Sequence, residues 1–480
     1  MSILVVDIGT SSLRAAIVQP DGSMAHEHRR ALPPDTPFPG LIEFDAARMG
    51  ALAVEVAAAA LRDGGPVAAV GIANQRSSTV VWDRATGEPI GPGLGWQDLR
   101  TVFDCITLAG EGIKVAPNQS LTKVMWLLSQ FDADRSRDLC FGTVDTWIAW
   151  VLSRGQLHVT DRSNAPLTGM LATDGPHWST AVLDQCKIPA NMMPRIVDSS
   201  GVIGEASALV GSPVIAGLAG DQQASLLGQG CVHKGMAKIT FGTGGMLDLC
   251  LDETEPSVHA RGPHGTFPIV AWSRNGHATW GVEAIMLSAG TNVDWLREDL
   301  GLIATAAESH DVAQRCTDTG GVMYVPALFG LGTPSWDYGA RGTLLGLSRG
   351  SGRAEVVRAV LEGVAQRGAD LLDAAEADTG VTVASLRVDG GMSQNPTFIQ
   401  ALADATQRPV EVSPVTEATA LGAAFLAGLA VGTWSGLDDL AATWRPAVTV
   451  APSGMLDRAR WAEAVDRSRR WIPDLSALDF

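Results

Sequence analysis

The feature that most constrains the fold is a strand–loop–strand pattern that occurs twice. In the first copy the apolar run Ile3–Val6 leads into a polar turn over 7–12, and a second apolar run covers 13–18. In the second copy, 236–249 repeats this order, with Gly242-Thr243 where the first copy has Gly9-Thr10. The duplication predicts two similar domains that face one ligand between them.

Both loops carry groups that suit a phosphate. The segment 9–12 offers a glycine for close backbone approach, consecutive N–H groups and three hydroxyls, a combination that can cradle phosphate oxygens. Asp7, just before it, suits a hydrated divalent cation. An ordinary polar hairpin turn is the alternative for either loop taken alone. A Walker loop, Gly-x-x-x-x-Gly-Lys-Ser/Thr, is absent from the sequence, which excludes that class of nucleotide site.

One carboxylate follows a buried-strand pattern in the stretch 214–223. The apolar residues end at the second of two glycines, Gly217 and Gly220, and Asp221 comes next, followed by Gln222. An ionised Asp only accepts hydrogen bonds, which suits removal of a proton from a hydroxyl group. A helix cap or a turn is the alternative.

Composition bounds the class of protein. A chain of 480 residues that is 46% hydrophobic is long enough for two domains. Its net charge of −17 argues against nucleic acid or an anionic membrane as a partner. The six cysteines lack metal-ligand spacing, so neither zinc nor disulfides are expected. The first residues lack a basic leader, which predicts a cytoplasmic protein.

Strand and helix patterns alternate along the chain, as in an α/β fold. Strands are predicted over 67–72 and 79–82, and a long helix is predicted to begin at a Ser351 cap and to end at Gly380. The charge-free segment 418–434 is predicted to be a buried helix rather than a membrane span. Glu283 and Asp337 are interpreted either as supports of a cleft or as ordinary capping or ion-pair residues.

Ordered short motifs along nearly the whole chain resemble the FGGY carbohydrate kinases, and among them the chain is most similar to the glycerol kinases. The matching segments are 7–14, 74–76 with 79–83, 96–98 with 100–101, 122–123 with 126–128, 142–147, 159–161 with 164–165, 219–223, 241–244, 330–332 with 336–337, 340–342, 389–391, and 416–417 with 419–424. Each motif is weak alone, but their number and order are specific.

The resemblance implies an α/β fold of two ribonuclease H-like domains, of the hexokinase and actin type, with the nucleotide and substrate cleft between them. It implies an N-terminal domain over 1–230 that binds the polyol or sugar and carries the catalytic Asp. A C-terminal, ATP-binding domain is expected over 231–434, and a tail packed on it over 435–480.

The resemblance also implies transfer of the γ-phosphate of ATP to a hydroxyl group of a small polyol or sugar, with Mg²⁺. By similarity, Asp221 is the general base, and Asp7 organises Mg²⁺ through water. The positions assigned to the nucleotide are Gly9, Thr10, Ser11, Ser12, Arg14, Gly242, Thr243, Gly290, Asp294, Gly391 and Asn395. Asp294 stands where the glycerol kinases have Gln.

The departures from the glycerol kinases cluster in the expected substrate site. That site is assigned to Arg76, Ser77, Trp96, Asn118, Asp221, Gln222 and Met246. Ser77 replaces a Glu of the glycerol kinases, Asn118 a Tyr and Met246 a Phe. These changes imply a roomier and differently polar pocket. A longer polyol or a pentulose, as in xylulokinases and ribulokinases, is therefore a candidate substrate beside glycerol.

Two other classes of function stay open at the level of sequence. One is an ATPase switch of the actin or heat-shock chaperone type, and the other is a sugar sensor that binds without transfer. The expected partners are a small polyol or sugar, with no nucleic acid and no membrane. Similar kinases also suggest a homodimer or homotetramer.

Overall fold

The computed structural model describes residues 1–257, 260–415 and 417–479. Thr416, which belongs to one of the matched motifs, lies outside the described residues. None of the described helices is both long and apolar enough to cross a membrane. The six cysteine thiols are free.

The first half of the chain alternates strands with helices. Its strands are β1 Ile3–Ile8, β2 Ser12–Val18, β3 Met24–Ala31, β4 Glu43–Phe44, β5 Ala69–Asn74, β6 Thr79–Asp83, β7 Gly93–Leu94, β8 Leu139–Thr143, β9 Val159–Asp161, β10 Arg195–Val197, β11 Ser200–Glu205 and β12 Val214–Gly220. Its helices are α1 Ala46–Gly64, α2 Val102–Gly110, α3 Leu121–Phe131, α4 Val144–Leu152, α5 Thr180–Gln185 and α6 Asp221–Gly228.

The second half follows the same alternation. Its strands are β13 Ala237–Phe241, β14 Gly245–Asp252, β15 Phe267–Arg274, β16 His277–Met286, β17 Met323–Val325, β18 Thr343–Leu345, β19 Leu386–Asp389, β20 Val410–Val412 and β21 Val448–Val450. Its helices are α7 Thr291–Glu298, α8 Glu308–Ala313, α9 Arg353–Thr379, α10 Pro396–Thr406, α11 Ala418–Val431, α12 Leu437–Thr443, α13 Arg458–Ser468 and α14 Pro473–Ser476. Short 3₁₀ turns cover 165–168, 190–192 and 391–394.

One mixed sheet of thirteen strands runs through both halves, in the order β21-β20-β19-β13-β14-β16-β15-β11-β12-β5-β1-β2-β3. In the first half β1, β5 and β12 are parallel, and β2 pairs antiparallel with β1. In the second half β13, β19 and β20 are parallel, and β14 pairs antiparallel with β13. Each repeated glycine loop therefore joins an antiparallel hairpin beside parallel strands, as the duplication predicts.

Helices α6 and α11 connect the two halves. Helix α6 follows the first-half strand β12 and packs against β14 and β15, whereas α11 follows β20 and packs against β1, β5, β11 and β12. A buried apolar cluster that contains Leu226, Leu227, Phe425 and Leu426 fills the space around them. Separate cores lie under α1 in the first half and under α9 in the second.

Glycines set how closely these two helices approach. A Cβ atom at Gly228 of α6 would overlap the Ala418 carbonyl, and one at Gly422 of α11 would overlap the Ala224 carbonyl. On the strand side, a Cβ at Gly217 would lie 2.6 Å from the Ala427 nitrogen. Backbone therefore packs directly on backbone, which only glycine permits.

Some local predictions are confirmed and one is wrong. Gly380 ends α9 in the left-handed conformation, with φ 68°. The charge-free segment forms the buried helix α11. Ser351, however, does not cap α9: Gly352 is the N-cap, and its N–H donates to the Glu355 carboxylate at 2.8 Å. The Glu355 side chain reaches back to the N–H of the N-cap residue, as in a capping box, and the helix begins one residue later than predicted.

The residues after 434 make most of their contacts with the second half. Arg387 lies over the Trp444 ring at 3.8 Å, and Arg458 pairs with Asp370 at 2.6 Å. Trp461 is buried beside second-half residues. Asp337 accepts hydrogen bonds from the Arg470 N–H and the Ser476 hydroxyl, so it anchors this tail and does not line the cleft.

The α6–α11 crossing yields a test. Gly228→Ala is expected to destabilise the protein by about 1 to 3 kcal/mol, because the new methyl group forces the helices apart. Urea unfolding of the purified variant measures this loss. Gly110→Ala, at a helical glycine where an added Cβ would have nothing within 4 Å, is the matched control and is expected to be neutral or slightly stabilising. Equal effects at the two sites would contradict the packing argument.

Candidate functional site

Arg76 lies at the centre of a charged cluster where the two halves meet. It follows β5, and its Nη1 lies 2.7 Å from the Glu283 carboxylate on β16, while its Nε lies 3.4 Å from Asp221 Oδ1. Nη1 also donates to Gln223 Oε1 at 3.4 Å. Glu283 thus forms an ion pair, which was one of its two interpretations, and its partner Arg76 is a predicted substrate residue.

Asp221 is the first residue of α6, and this position suits an ionised carboxylate. Its Oδ1 accepts a hydrogen bond from the Gln222 N–H at 2.9 Å, and the positive end of the helix favours a negative charge there. Its side chain keeps 32% exposure, compared with 5% for Glu283. Asp221 is therefore the carboxylate of this cluster that a ligand reaches. The predicted strand is present and ends at Gly220, and Gly220, not Asp221, is the N-cap of α6.

Desolvation and charge act in opposite directions on these groups. Desolvation raises the pKa of Asp221, and the Arg76 guanidinium partly offsets this. Burial lowers the pKa of Arg76, but Glu283 and Asp221 raise it more, so Arg76 stays charged. A permanent cation beside Asp221 favours the ionised form of the carboxylate, which is the form that accepts a proton.

A second buried pair lies behind the first. Lys238 on β13 and Asp248 on β14 stand opposite each other in the hairpin register, with 2.7 Å between Nζ and Oδ2, and neither side chain is exposed. Lys238 Nζ also donates to Gln222 Oε1 at 2.7 Å and to Thr240 Oγ1 at 3.0 Å. Desolvation raises the pKa of Asp248, and the neighbouring Lys238 ammonium opposes this shift. This pair links the second half to Gln222.

The first glycine loop holds the predicted metal residue. Arg14 donates to Asp7 Oδ2 from Nε at 2.9 Å and from Nη2 at 2.7 Å. Arg14 Nη1 also contacts the Glu417 carboxylate, just before α11. Burial raises the pKa of Asp7, and Arg14 opposes this shift. Among the described residues, no hydrogen bond is formed by Asp7 Oδ1, so that oxygen is available to a cation.

The same loop is tied to the predicted substrate residue Trp96. The Trp96 Nε1–H donates to Thr10 Oγ1 at 3.2 Å, and the Trp96 N–H donates to Ser78 Oγ at 3.0 Å. Gln75 Nε2 donates to the Gly9 carbonyl at 3.2 Å. Gly9 N–H donates to the Ser12 carbonyl, which closes the turn at 2.9 Å. The loop over 9–12 and the segments 74–78 and 95–97 therefore form one connected surface. Ser11 is an exposed position of the turn.

Lys123 on α3 lies beneath this surface and connects the segments that contain Asn118 and Trp96. Its ammonium is fully buried and donates to the Asn118 carbonyl at 2.9 Å and to the Trp96 carbonyl at 3.4 Å. Ser120 Oγ donates to the Ser77 carbonyl at 3.0 Å. Three predicted substrate residues are thus held by their backbones.

A buried polar network fixes the loop of Arg76 relative to Asp221. The Asp161 carboxylate accepts hydrogen bonds from Ser163 and Asn164, and the Ser163 hydroxyl accepts the N–H of Gly220 at 2.9 Å. Asn164 and Asn74 exchange two amide hydrogen bonds of 3.0 and 3.1 Å. The network therefore reaches the residue before Asp221 and the end of the strand before Arg76.

The second glycine loop meets the start of α7. The Gly290 N–H donates to the Gly242 carbonyl at 2.8 Å, and the Ala289 N–H donates to the Thr243 carbonyl at 2.8 Å. Gly390 takes φ 86° against the Phe241 backbone, and Gly391 has open space where a Cβ would lie. Glycines 242, 290 and 391 thus border one backbone-lined region, which suits a nucleotide.

Asn395 and Asp294 have local partners. Asn395 caps α10 and donates to Ser309 Oγ at 2.8 Å. Asp294 is half exposed and pairs with Arg297 at 2.8 Å. Both were assigned to the nucleotide, and their side chains take part in helix contacts that leave the adjoining surface accessible.

The three positions that differ from the glycerol kinases lie in three different environments. Ser77 is buried, takes φ 62° and donates its hydroxyl to the Leu167 carbonyl at 3.2 Å. Asn118 is exposed. Met246 shares the cleft face of β14 with Asp248, because residues two apart on a strand point the same way. Arg76, Asp221 and Gln222 are in direct contact with the charged cluster. Among the described residues, the side chains of Ser77, Asn118 and Met246 form no hydrogen bond with it.

Lys123, Lys238 and Asp248 were missed by the sequence reasoning. Lys238 and Asp248 each interrupt an apolar strand pattern, and they are equally distant from Thr243 at the centre of the glycine turn. A hairpin register centred on that turn pairs them. That signal was present in the sequence. The partners of Lys123 are backbone carbonyls, which side-chain patterns do not reveal.

Lys123 yields a prediction about pH. Burial lowers the pKa of its ammonium to about 7 from an ordinary value of 10.5. Between these values the unfolded chain binds the proton and the folded chain does not, so this group makes stability rise with pH, by up to about 1.4 kcal/mol per unit. In Lys123→Met this contribution is lost.

Urea unfolding at pH 7.0 to 8.5 is the measurement, and the stability difference between wild type and Lys123→Met should change in favour of the wild type as pH rises. Lys114→Met, at an exposed lysine, is the control and should leave the slope unchanged. A parallel pH dependence in wild type and Lys123→Met would show that Lys123 keeps its charge on folding.

Comparison with known proteins gives this arrangement a family. The sequence model of the FGGY family of carbohydrate kinases, N-terminal domain, matches residues 2–228, and that of the C-terminal domain matches 237–431. A glycerol kinase of Dechloromonas aromatica is 42% identical, and one of Bordetella parapertussis is 41% identical. The alignments cover 98% of this chain in both cases, with 98% and 97% of the relatives.

Solved structures agree with the sequence relatives. The Plasmodium falciparum glycerol kinase with ADP superposes with a TM-score of 0.89 at 27% identity, covering 97% of this chain and 98% of that one. A xyloylose kinase from Brucella ovis has a TM-score of 0.85 at 25% identity, with full coverage of both chains. Two domain models that together span most of the chain, and full-length relatives near 40% identity, establish that this chain belongs to the FGGY family of carbohydrate kinases.

Proposed function

We propose that Asp221 is the general base of an ATP-dependent phosphoryl transfer to a hydroxyl group of a small polyol or ketose. Membership of the family makes the chain an ATP-dependent carbohydrate kinase acting on a small molecule. The observation that carries the assignment of the base is the accessible Asp221 carboxylate beside the buried Arg76–Glu283 pair.

The proposed mechanism requires one chemical step of Asp221, the acceptance of a proton from the attacking hydroxyl group. Its Oδ1 is engaged by Arg76 and the Gln222 N–H, while among the described residues no hydrogen bond is formed by Oδ2. Oδ2 is therefore the atom that would accept the proton of the attacking hydroxyl. Thr419 of α11 donates to the Asp221 carbonyl at 3.4 Å, which helps to fix the start of α6. The rest of the catalysis is positioning and charge stabilisation.

The two glycine loops supply groups for the phosphates of ATP. Backbone N–H groups and hydroxyls of 9–12 lie in the first half, and the region bordered by Gly242, Gly290 and Gly391 lies in the second. Arg14, which is bound to Asp7, is assigned to the phosphate region on the resemblance. We assign Ser11, Ser12, Thr243, Asp294 and Asn395 to the same nucleotide surface on the resemblance alone.

Mg²⁺ is part of the proposal, and Asp7 fits it. Magnesium is commonly bound by one or two carboxylates together with substrate phosphates and water. Asp7 offers one free carboxylate oxygen, and the nearby loop would hold the phosphates. When bound, the ion would neutralise phosphate charge, while Arg14 keeps the Asp7 carboxylate oriented.

The substrate region combines Arg76, Trp96, Gln222 and Asp221 with smaller or more flexible residues at 77, 118 and 246. The Ser77 hydroxyl is turned to the Leu167 carbonyl, so that position offers the substrate no carboxylate. Such a site has room for a polyol longer than glycerol or for a pentulose, whereas a pocket shaped closely around glycerol would exclude both. We include a cytoplasmic, homo-oligomeric state in the proposal on the resemblance alone.

A coupled ADP-release assay tests this function. Mg-ATP is combined with glycerol, erythritol, threitol, the pentitols, xylulose and ribulose, with a no-sugar control. We expect one or a few compounds to raise the rate well above the control. A high rate that no sugar changes would indicate an ATPase switch, and no turnover with any compound would contradict the proposed substrates.

Asp221→Asn tests the assignment of the base. The amide keeps the size of the side chain but cannot take the proton, so kcat is expected to fall by about 10² to 10⁴. Binding of ATP and of the sugar, measured by calorimetry, should stay within a few-fold. Turnover close to wild type would show that another group removes the proton. Asp198→Asn, outside the cleft, serves as a matched control.

A further inference from the structure

A surface cavity of about 290 Å³ lies between the turn that follows β6 and the C-terminal end of α4. Two arginines, two tryptophans and two glycines are among the residues that line it: Arg84, Arg154, Trp147, Trp150, Gly87 and Gly155. None of these residues was assigned to the kinase site. The volume is close to the lower end of the range for small-molecule sites, about 300 to 1,000 Å³. The cavity therefore suits a ligand about the size of one sugar.

One edge of the Trp150 indole faces this cavity without a partner. The side chain is 9% exposed, and its ring packs on Trp82 and His158 with centroid distances of 5.5 and 6.0 Å. A Cβ atom added at Gly87 would lie 3.4 Å from the indole Nε1, and one at Gly155 would lie 3.2 Å from Cζ2. Among the described residues, no hydrogen bond is formed by the Trp150 Nε1–H. A buried indole N–H usually has a partner, and here two residues without side chains leave it open to the cavity.

Two guanidinium groups bring positive charge to the same cavity. Arg84 is held in place, because its Nη2 donates to the Leu139 and Asn191 carbonyls at 3.2 and 2.6 Å and its Nε pairs with Asp138 at 3.1 Å. Arg84 Nη1 forms no hydrogen bond within the described part of the chain. Arg154 is exposed, and its side chain has neither an ion pair nor a hydrogen bond among the described residues. One positive charge of the cavity is thus left unpaired.

The polar groups of this cavity are mostly donors. Arginine and the indole N–H only donate hydrogen bonds, and none of the described lining residues carries a carboxylate. The Thr86 hydroxyl is engaged in its own turn, where it accepts from the Glu88 N–H at 3.2 Å and donates to Asp83 at 3.4 Å. Donors and positive charge favour an anionic ligand, and the rings of Trp147 and Trp150 suit its carbon body.

We infer that this cavity binds a small anionic carbohydrate, whose phosphate or carboxylate group contacts Arg84 and Arg154 while the sugar body lies against the indole rings. Guanidinium groups bind phosphate and carboxylate alike through paired, charge-assisted hydrogen bonds. The Trp150 N–H donates to a further oxygen of the ligand. A sugar phosphate and a sugar acid share this chemistry, so both enter the test. The site lies apart from the proposed kinase site and does not depend on the role of Asp221.

An ordinary surface cleft is the competing explanation. A turn and the end of a helix account for the positive φ values of 73° at Gly87 and 83° at Gly155. They do not account for the unpaired charge of Arg154 beside an indole N–H that has no partner. Binding measurements distinguish the two explanations.

Isothermal titration calorimetry of the purified protein with glucose 6-phosphate and with gluconate is the first test. We expect saturable binding with a Kd of about 1 mM or lower for the better of the two, which identifies the preferred anionic group. Glucose and inorganic phosphate each carry only one part of the ligand. Both should bind about tenfold or more weakly, because the charge-assisted hydrogen bonds or the ring contacts are missing.

Variants locate the binding. Arg154→Gln removes the unpaired charge and should weaken binding by about tenfold or more, whereas Arg154→Lys keeps the charge and should retain part of the affinity. Trp150→Phe keeps an aromatic ring but loses the N–H, and it should weaken binding by about threefold to tenfold. Arg62→Gln, at an exposed arginine of α1, is the matched control and should bind as the wild type does. Thermal unfolding verifies that each variant is folded.

Three results would overturn the inference. The first is the absence of saturable binding for both anionic sugars. The second is glucose that binds as tightly as its phosphate. The third is binding that stays unchanged in both Arg154→Gln and Trp150→Phe, which would mean that the ligand binds elsewhere, for example in the kinase cleft. Each of them leaves the proposed kinase function intact.

Discussion

The close contact of α6 with α11 is the constraint on which the rest of this structure depends. The two helices approach until backbone meets backbone at Gly228 and Gly422, and the backbone of α11 also lies close to the strand residue Gly217. Each helix belongs to one half of the chain by sequence and packs on strands of the other. The start of α6, which carries Asp221, is thereby fixed relative to the strands of both halves.

The charged cluster depends on that placement. Arg76, Glu283, Lys238 and Asp248 are almost fully removed from water, which is costly for isolated ions. Each is tolerated because an opposite charge lies within 3 Å: Arg76 and Glu283 pair across the junction of the halves, and Lys238 and Asp248 pair between neighbouring strands of the second half. Only Asp221 keeps substantial exposure. The proposed base is therefore the most solvent-accessible residue of the cluster, and the other charged residues are buried around it.

Much of this arrangement is predictable from the sequence. The repeated apolar run, glycine turn and apolar run indicate paired strands in each half, and the structure has β1–β2 and β13–β14 there. The assignment of Arg76, Asp221 and Gln222 to one site rests on family motifs, and the structure brings all three together. The family itself was identified correctly from ordered motifs along the chain.

Other parts depend on contacts between distant residues, which local patterns do not encode. Lys123 acts through carbonyl groups of Trp96 and Asn118, and a carbonyl is present at every residue. The sequence predicted that Arg14 lies near the phosphates of the nucleotide. It did not predict the ion pair of Arg14 with Glu417, which joins β2 to a residue some 400 positions away. The start of α9 was misplaced by one residue because Gly352 is the N-cap, its N–H donating to the Glu355 carboxylate, while the Ser351 hydroxyl accepts from the Ser348 N–H instead.

The sheet that runs through both halves has one narrow junction. Strands β11 and β15 are paired at a single position, Ser200 with Arg274, whereas β1 and β5 are paired over six. Bending the sheet at this junction breaks few hydrogen bonds, while bending it within either half breaks many. The sheet is therefore most easily bent where its two halves join and resists bending within either half.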